Sequence, residues 1–553
     1  MNLKRITLLA ALLISTLVAR AQFEPLGVIS VKNYDSMMDA AVRVQKALEQ
    51  TEPDLRKEFL REAGNPEGTG IDMKRPWHFV FSPPMPPQTS GVTAFFVPVT
   101  NFKEFKGALQ GDSMFKGRGN KNVIRKSGNY AVIVQRSAAQ SELDAELVKS
   151  VAAYRKQLPT KTAKTYRLHI RLNDKIRAML NGGLMMIRNL SNAQVQQAPN
   201  GAPNPLAALG PIMDIYYNVG EMLVKGLSEL QIDAEVTDDE LRFFERVTAI
   251  AGSDLEKLMA PSKAKISHLA SHLDGDATIA FVGHIQGSEF LSDLTAQAMS
   301  VGIKMQGGDQ NEEVMKKIES MVGRMLPMTF AASIEMEPGM KMSGIYQFPK
   351  ANAKQMKKDM AEFIDFSTKA QVGKNGLYST FERKEGVRKV KGVSVDRVTA
   401  NINTDAAMLK IPGQLEAFRV MWPDDKITYE SATKGKQVFY SMGAPIEKAM
   451  VPSKSPMKLR VKVDDNAFVA GRYNLLKLMT QWLPLQKGVP AAMGEIAKKL
   501  DSTGTGVDMK ASLDGGFSAE LVVPLKLLTQ FSHFGKEMAK SRPGRATAEP
   551  KAP

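Results

Sequence analysis

Cysteine is absent from this chain of 553 residues. Its absence excludes disulfide bonds, zinc sites with thiolate ligands, cysteine nucleophiles and an N-terminal cysteine that carries a lipid. The G-x-S-x-G, Walker A and G-x-G-x-x-G patterns, which position a nucleophile or a phosphate, are also missing. After residue 21 no stretch has eighteen uninterrupted apolar residues, so we expect no transmembrane anchor once the N-terminal segment is removed.

The N-terminal segment has the three parts of a signal peptide. Lys4 and Arg5 form a basic start, Ile6–Ala19 is an apolar run, and Ala19-Arg20-Ala21 matches a small-residue cleavage site. We therefore predict that residues 1–21 are a signal peptide. The mature chain is then exported, either to a bacterial-type periplasm or out of the cell.

The chain is basic, with a formal net charge of +16. Signal cleavage removes three basic residues and no acid, which leaves +13. A basic exported protein can meet acidic polysaccharide, lipid headgroups or nucleic acid through electrostatic attraction. Because the charges are mixed with acids and no basic stripe alternates with aromatic residues, we expect no nucleic-acid partner. A solvated basic surface is the favoured interpretation, and a lipid or another envelope component remains open as a partner.

The C-terminal region shows the pattern on which the predicted fold is based. Val507–Leu513 and Phe517–Val523 alternate apolar and polar residues, and Asp514-Gly515-Gly516 lies between them. Two alternating runs around such a turn predict a β-hairpin. Pro524 then ends the second strand, and a short helix begins after it. With 43% hydrophobic residues, the chain has the composition of a globular protein built from such units.

The same kinds of element recur in the same order along the chain, which suggests an internal duplication. Because few residues match between the two series, coincidence remains an alternative. The first series comprises hairpin 122–135, strand 166–172, helices 174–189 and 212–227, hairpin 230–247 and helix 253–259. The second comprises hairpin 427–441, strand 457–463, helices 475–483 and 491–500, hairpin 507–523 and helix 524–531.

The predicted fold is therefore α+β, with two topologically related halves. Each half is an antiparallel sheet with helices packed on one face. We place the N-terminal half at residues 22–261, with an exposed loop at 191–205. The C-terminal half covers 262–540, and 541–553 form a disordered basic tail.

Three histidines are the candidates for a metal site. His268 and His272 are four residues apart, a spacing that places two imidazoles on one face of an α-helix, and His284 is the available third ligand. The glutamate of the H-E-x-x-H motif is absent, and histidines near a helix C-terminus are also favoured by the helix dipole. A structural role is the favoured interpretation, so we predict no metal, no cofactor and no catalytic residue.

Methionine is unusually frequent, with 32 residues. Its flexible thioether side chain fills irregular cores and also lines adaptable apolar surfaces. We favour the role of core filler; a groove for a lipid or a hydrophobic peptide is one alternative, and a copper site with thioether ligands is another. The cluster that raises this question consists of Met299, Met305, Met315, Met321, Met325, Met328, Met336, Met340 and Met342.

Four segments carry a resemblance to other proteins: RPWHFVFSPP at 75–84, GVTAFFVPVTNFKEFKGAL at 91–109, KSGNYAVIV at 126–134 and GGFSAELVVPLKLL at 515–528. Through them the chain resembles large exported bacterial proteins of unknown function built from repeated β-hairpin and helix units. The build is also similar to periplasmic lipoprotein carriers, in which helices cover a curved sheet. The resemblance implies no active-site residue.

Together these features predict an exported, non-enzymatic cell-envelope protein that binds an apolar ligand or acts as a scaffold. The alternative is an exported hydrolase whose catalytic residues are not recognisable from the sequence. A hydrolase cleft would gather buried carboxylates or histidines with perturbed pKa values. A carrier cleft would instead be lined by Met, Leu and Phe.

Overall fold

The fold is that of a computed structural model. The predicted signal peptide, residues 197–205 of the predicted loop and residues 542–553 of the predicted tail lie outside the residues that it describes. The described residues are 23, 25–50, 53–83, 91–117, 121–135, 145–162, 164–196, 210–261, 265–287, 312–336, 339–349, 353–369, 372, 376–410, 414–485 and 489–541.

Several helices begin at side chains that accept hydrogen bonds from free backbone amides of the first turn, as Asn33, Asp54 and Asn101 do. The predicted loop 191–205 is wrong at its start, because the preceding helix continues to Gln196. The α-helices are α1 Tyr34–Ala47, α2 Leu55–Glu62, α3 Phe102–Ala108, α4 Ala145–Ala153, α5 Asp174–Gln196, α6 Gly210–Gly226, α7 Asp254–Leu258, α8 Glu312–Met325, α9 Ala353–Lys369, α10 Gln414–Met421, α11 Leu475–Trp482, α12 Ala491–Lys498 and α13 Leu525–Lys540.

The strands of the described residues belong to one antiparallel sheet of eighteen strands. They are β1 Gly27–Val31, β2 Trp77–Ser82, β3 Val92–Pro98, β4 Val123–Ser127, β5 Tyr130–Gln135, β6 Tyr166–Arg171, β7 Leu227–Val236, β8 Glu240–Ala249, β9 Ile279–Ile285, β10 Met328–Glu335, β11 Lys341–Gln347, β12 Tyr378–Val390, β13 Val393–Ile402, β14 Lys426–Lys434, β15 Gln437–Met442, β16 Ala467–Tyr473, β17 Val507–Leu513 and β18 Phe517–Pro524.

The chain divides into two compact units. The first comprises Met1–Ile176 and Glu229–Thr237, and the second comprises Arg177–Ser228 and Asp238–Pro553. In the first unit the strands pair in the order β4-β5-β3-β2-β1-β6-β7. In the second unit the order is β12-β13-β14-β15-β11-β10-β9-β16-β17-β18-β8.

The prediction of two halves, each with its own sheet, is wrong. Strand β8 belongs to the predicted N-terminal half, yet it pairs along eight residues with β18. The register runs from Glu240 opposite Pro524 to Val247 opposite Phe517. Backbone N–H and C=O groups at the edge of a sheet need hydrogen-bond partners. Strands β8 and β18 provide these partners for each other. The predicted boundary near residue 262 is therefore not a division between two sheets.

The prediction that helices cover only one face is wrong for the first unit, where both faces carry helices. One face packs Trp77 and Ile133 against α1, α2 and α3. The opposite face packs Val80 and Val134 against α4. The reason lies in β5, whose first five residues are all buried. An apolar run without alternation is typical of a strand that is covered on both faces.

The strand order of the first unit recurs within the second. The series β14-β15-β11-β10-β9-β16-β17 has the same order as β4-β5-β3-β2-β1-β6-β7. The second unit adds the hairpin β12–β13 at one end of this series and β18 and β8 at the other. This recurrence supports the internal duplication, which stays a prediction. One member of the predicted series is wrong, because residues 457–463 form no strand and β16 takes that place in the order.

A glycine opposite an aromatic ring lets two strands of the second unit approach closely. Gly344 on β11 lies opposite Tyr440 on β15. A Cβ atom at Gly344 would stand 2.4 Å from the hydroxyl oxygen of Tyr440 and 2.5 Å from the carbonyl oxygen of Ala331. The Tyr440 ring also stacks on Tyr346, with 4.6 Å between the centroids. Any residue larger than glycine would therefore push this ring out of its stack.

We expect Gly344→Ala to lower the free energy of unfolding by about 1–3 kcal/mol, which is the usual cost of overpacking a filled site. Gly323→Ala is the matched control, since a Cβ atom at this position in α8 meets nothing within 4 Å and alanine favours a helix. Urea unfolding followed by circular dichroism compares both variants with the wild type. A Gly344→Ala chain as stable as the wild type would contradict the close approach.

Candidate functional site

The structure places His268 and His272 in a 3-10 helix, Ile266–His272, rather than in an α-helix. With three residues per turn, side chains four positions apart point in directions that differ by about 120°. His268 is exposed, and its Nε2 lies 2.9 Å from the Gln347 side-chain oxygen, whereas His272 is half-buried. The spacing that suggested the pair therefore does not bring the two imidazoles onto one face.

His284, the candidate third ligand, lies on β9 and is 9% exposed. Its Nδ1 lies 3.2 Å from the hydroxyl oxygen of Thr329. Burial lowers the pKa of His272 and of His284, although each also has a backbone hydrogen bond that acts in the opposite direction. Within the described part of the chain, no group of three His, Cys, Asp or Glu side chains could hold a metal ion.

A small polar cavity in the second unit lies between α9 and strands β12–β15. Its volume of about 20 Å³ has room for about one water molecule. Lys357 and Asp396 line this cavity and form an ion pair at 2.9 Å. The backbone N–H of Gly386 donates to the same carboxylate at 2.9 Å, and Arg383 pairs with Asp365 at 3.4 Å. A cavity of this size, with its charges paired, cannot enclose a lipid chain.

Members of the Met-rich region pack in the core of the second unit. Met325 and Met328 pack with Met356, Phe348 and Val438. These contacts support the role of core filler. Of the other members, Met321 is buried, Met336, Met340 and Met342 are half-buried, and Met299, Met305 and the Met315 side chain lie outside the described positions.

Exposed apolar side chains are concentrated on α5 and α6. Met185 and Met186 are 62% and 64% exposed, and Leu223 is 40% exposed. The two helices are adjacent, because the Leu184 side chain lies over Gly220. A concentration of exposed apolar side chains is typical of a contact surface.

Some buried carboxylates are held by arginines, as Glu430 is. Glu430 is 6% exposed and accepts hydrogen bonds from Arg388 and Arg397, each at 2.8 Å. Burial alone would raise the pKa of Glu430, but the hydrogen bonds from the two guanidinium groups outweigh it and lower the pKa. The carboxylate is therefore ionised at neutral pH and occupied by structural contacts.

Asp508 on β17 is fully buried, with 0% exposure. It accepts hydrogen bonds from Arg472 Nη2 at 2.8 Å and from the backbone N–H of Arg460 at 2.6 Å. The Arg460 guanidinium in turn donates to the carbonyl oxygens of Gly504 and Gly506, at 2.7 and 2.8 Å. Asp508 thus ties the segment before β16 to β17. Sequence reasoning missed it because Arg472 and Arg460 are 36 and 48 residues away.

Ser30 and His78 face each other across β1 and β2, with Ser30 Oγ 2.8 Å from His78 Nδ1. They are 2% and 3% exposed. Burial lowers the pKa of His78 to about 4, so the imidazole is neutral at pH 7. Nucleophilic catalysis also uses a serine beside a histidine, but a substrate cannot reach a pair enclosed in the core.

Comparisons of the chain with protein-family models, curated proteins and solved structures give no match. The resemblance to large exported bacterial proteins therefore stays a prediction, and no residue role comes from a relative. Among the described helices, none is both long enough and apolar enough to cross a membrane.

We expect acid to destabilise the first unit through His78. Its folded-state pKa is about 4 and the ordinary value is about 6.5, so the unfolded chain binds the proton first as the pH falls. The stability contributed by neutral His78 is complete above about pH 6.5 and is lost as the pH falls towards about 4. Urea unfolding at about pH 7.5 and about pH 4.5 should show a loss of roughly 2–3 kcal/mol from this group.

His78→Gln isolates this contribution, because glutamine can still hydrogen-bond to Ser30 but does not titrate. We expect its pH dependence between the two conditions to be smaller than that of the wild type by the same amount. His533→Gln is the matched control, since it makes the same substitution at an exposed histidine. Equal pH dependence in all three chains would show that His78 is not the group responsible.

We expect Asp508→Asn to destabilise the second unit by about 3–5 kcal/mol, because breaking one partner of a buried ion pair leaves Arg472 uncompensated. Asp501→Asn is the control, since Asp501 pairs with Lys526 at the surface and its loss should have a much smaller effect. Thermal unfolding of the two variants measures the difference. Similar transitions for both variants would mean that the Asp508 cluster is not a major source of stability.

Proposed function

We propose that this chain is an exported, non-enzymatic cell-envelope protein that acts as a scaffold through its surface. The observation that carries the proposal is the packing of apolar side chains in the cores of the described residues. Core side chains cover both faces of the sheet in the first unit, and the cavity described in the second unit has room for about one water molecule. The proposal of export rests on the sequence pattern of residues 1–21.

Of the two roles predicted from the sequence, the scaffold is favoured over the carrier of an apolar ligand. A carrier needs an enclosed space lined by apolar side chains. Met325 and Met328, two of the methionines that suggested such a space, are instead packed with Phe348 and its neighbours. The exposed Met185 and Met186 on α5 are available for contacts with another molecule at the surface.

The non-enzymatic part of the proposal is supported by the state of the buried polar groups. Glu430 and Asp508 are engaged by arginines, and Ser30 and His78 are enclosed in the core. Groups that act as acid, base or nucleophile must be within reach of a substrate. The alternative of an exported hydrolase therefore has no specific observation in its favour among the described residues.

Native mass spectrometry of residues 22–553 purified from a periplasm tests the proposal. We expect the mass of the polypeptide alone, or a whole multiple of it, both before and after extraction with an organic solvent. The reason is that the Met-rich residues of the described core pack against one another, and the cavity of the second unit is too small for a lipid chain.

A lipid carrier purified by the same route is the positive control, because it must show its lipid under the conditions used. A lipid-sized mass on this chain that extraction removes would contradict the scaffold proposal and favour the carrier.

A further inference from the structure

A segment of the second unit, residues 448–463, contains five basic residues and no acid. We call it the basic strap. It begins at the 3-10 helix Ile446–Lys448 and ends shortly before β16. The basic residues are Lys448, Lys454, Lys458, Arg460 and Lys462.

The strap is held against the core by its apolar residues and its backbone. Ala449, Met457 and Val461 are buried, with 4%, 7% and 4% exposure. Backbone hydrogen bonds join Ser453 N–H to Ser271 O at 2.9 Å and Met457 N–H to Leu273 O at 3.0 Å. The strap therefore has a defined course over the molecule, and the directions of its outward side chains are set by that course.

Arginine and lysine have different roles in and around the strap. The Arg460 guanidinium is turned towards the protein, where it donates to backbone carbonyl oxygens. Arg472 also points to the strap and donates to Lys458 O at 2.8 Å. Lys454, Lys458 and Lys462 are exposed, and none of the three forms an ion pair within the described residues.

The nearest acids in the sequence are already engaged by cations outside the strap. Glu447 pairs with Arg388, and Asp464 pairs with Lys510 at 2.9 Å. Asp465 pairs with Lys265 at 3.4 Å. Within the strap, Lys448 pairs with Glu335 at 3.5 Å and Arg460 with Asp508 at 3.8 Å. Among the described residues, the positive charge of the strap that remains without an ion pair is therefore that of Lys454, Lys458 and Lys462.

We propose that the basic strap binds an acidic polysaccharide. The proposal rests on the proposed surface role and names its partner. Lys454, Lys458 and Lys462 recur every four residues along the strap, so their Cα atoms are at most about 14 Å apart from one to the next. A group of exposed charges without ion pairs is complementary to a polyanion, and the attraction adds to that of the basic chain as a whole.

The strap fits a polysaccharide better than a nucleic acid or a membrane. Residues 448–463 include no aromatic residue, so bases have no ring on which to stack. Met457 and Val461 are buried, so the strap has no apolar wedge at these positions to enter the headgroup region of a bilayer. The strap can therefore recognise a ligand only through charge, which favours an acidic polysaccharide.

The test measures binding of residues 22–553 to polygalacturonate by affinity electrophoresis, with neutral dextran as the negative control polymer. We expect the wild-type chain to be retarded by polygalacturonate only, and less so as salt is added. The strap variant combines Lys454→Glu, Lys458→Glu and Lys462→Glu. We expect it to bind at least about tenfold more weakly, because three attractive contacts become repulsive.

The matched control combines Lys32→Glu, Lys103→Glu and Lys106→Glu, which changes three exposed lysines of the first unit and gives the same net charge. We expect this control to bind within about threefold of the wild type, as a general charge effect. Equal weakening of both variants would overturn the proposal, since net charge alone would then explain the binding. The proposal would also be overturned if polygalacturonate did not retard the wild-type chain.

Binding of the wild type to vesicles of phosphatidylcholine and phosphatidylglycerol, without binding to polygalacturonate, would assign the strap to a membrane and overturn the polysaccharide. The circular dichroism spectrum and thermal transition of each variant must match those of the wild type. Lys454→Gln, Lys458→Gln and Lys462→Gln, combined, serve as a milder second variant that should also lose affinity. A lipid found by native mass spectrometry would contradict the scaffold proposal but would leave these binding results unaffected.

Discussion

The pairing of β8 with β18 is the constraint on which the sheet of the second unit depends. The pairing joins positions that are far apart in the chain. Arg242 and Glu520, for example, are 278 residues apart in the sequence and form an ion pair at 3.1 Å. Closing so long a loop costs little more entropy than closing a short one, whereas an unpaired strand edge leaves a row of polar backbone groups without partners. A strand from the middle of the chain therefore completes the edge of a sheet whose other strands lie later in the sequence.

Local patterns were sufficient where the structure depends on neighbouring residues. The predicted hairpin at 507–523 is confirmed by β17 and β18. Its turn contains Gly515 with φ at +65°, a conformation that favours glycine. Alternation and turn residues act over a few positions, and for this reason the sequence alone was a good guide to the hairpin and a poor one to the assembly of strands.

Patterns failed where a distant partner decides the structure. Residues 457–463 alternate like a strand, but Asp508 receives the Arg460 N–H and the segment packs as the basic strap instead. The spacing of His268 and His272 was interpreted on the assumption of an α-helix, whereas the chain forms a 3-10 helix there. Ser30 and His78 are 48 residues apart, and only the register of β1 and β2 brings them together.

Arginine and lysine have different roles in this protein, and the difference relates the core to the proposed function. A guanidinium group donates two parallel hydrogen bonds and is weakly hydrated, so it suits a buried carboxylate, whereas an ammonium group is strongly hydrated and remains at the surface. Asp359, which is 1% exposed, accepts two hydrogen bonds from Arg324, at 2.9 and 2.8 Å. Glu430 and Asp508 are held by arginines in the same way. The buried carboxylates that arginines engage are not available to pair with lysines at the surface. Lys454, Lys458 and Lys462 of the basic strap are exposed and form no ion pair within the described residues, so they carry part of the positive charge of the chain at its surface.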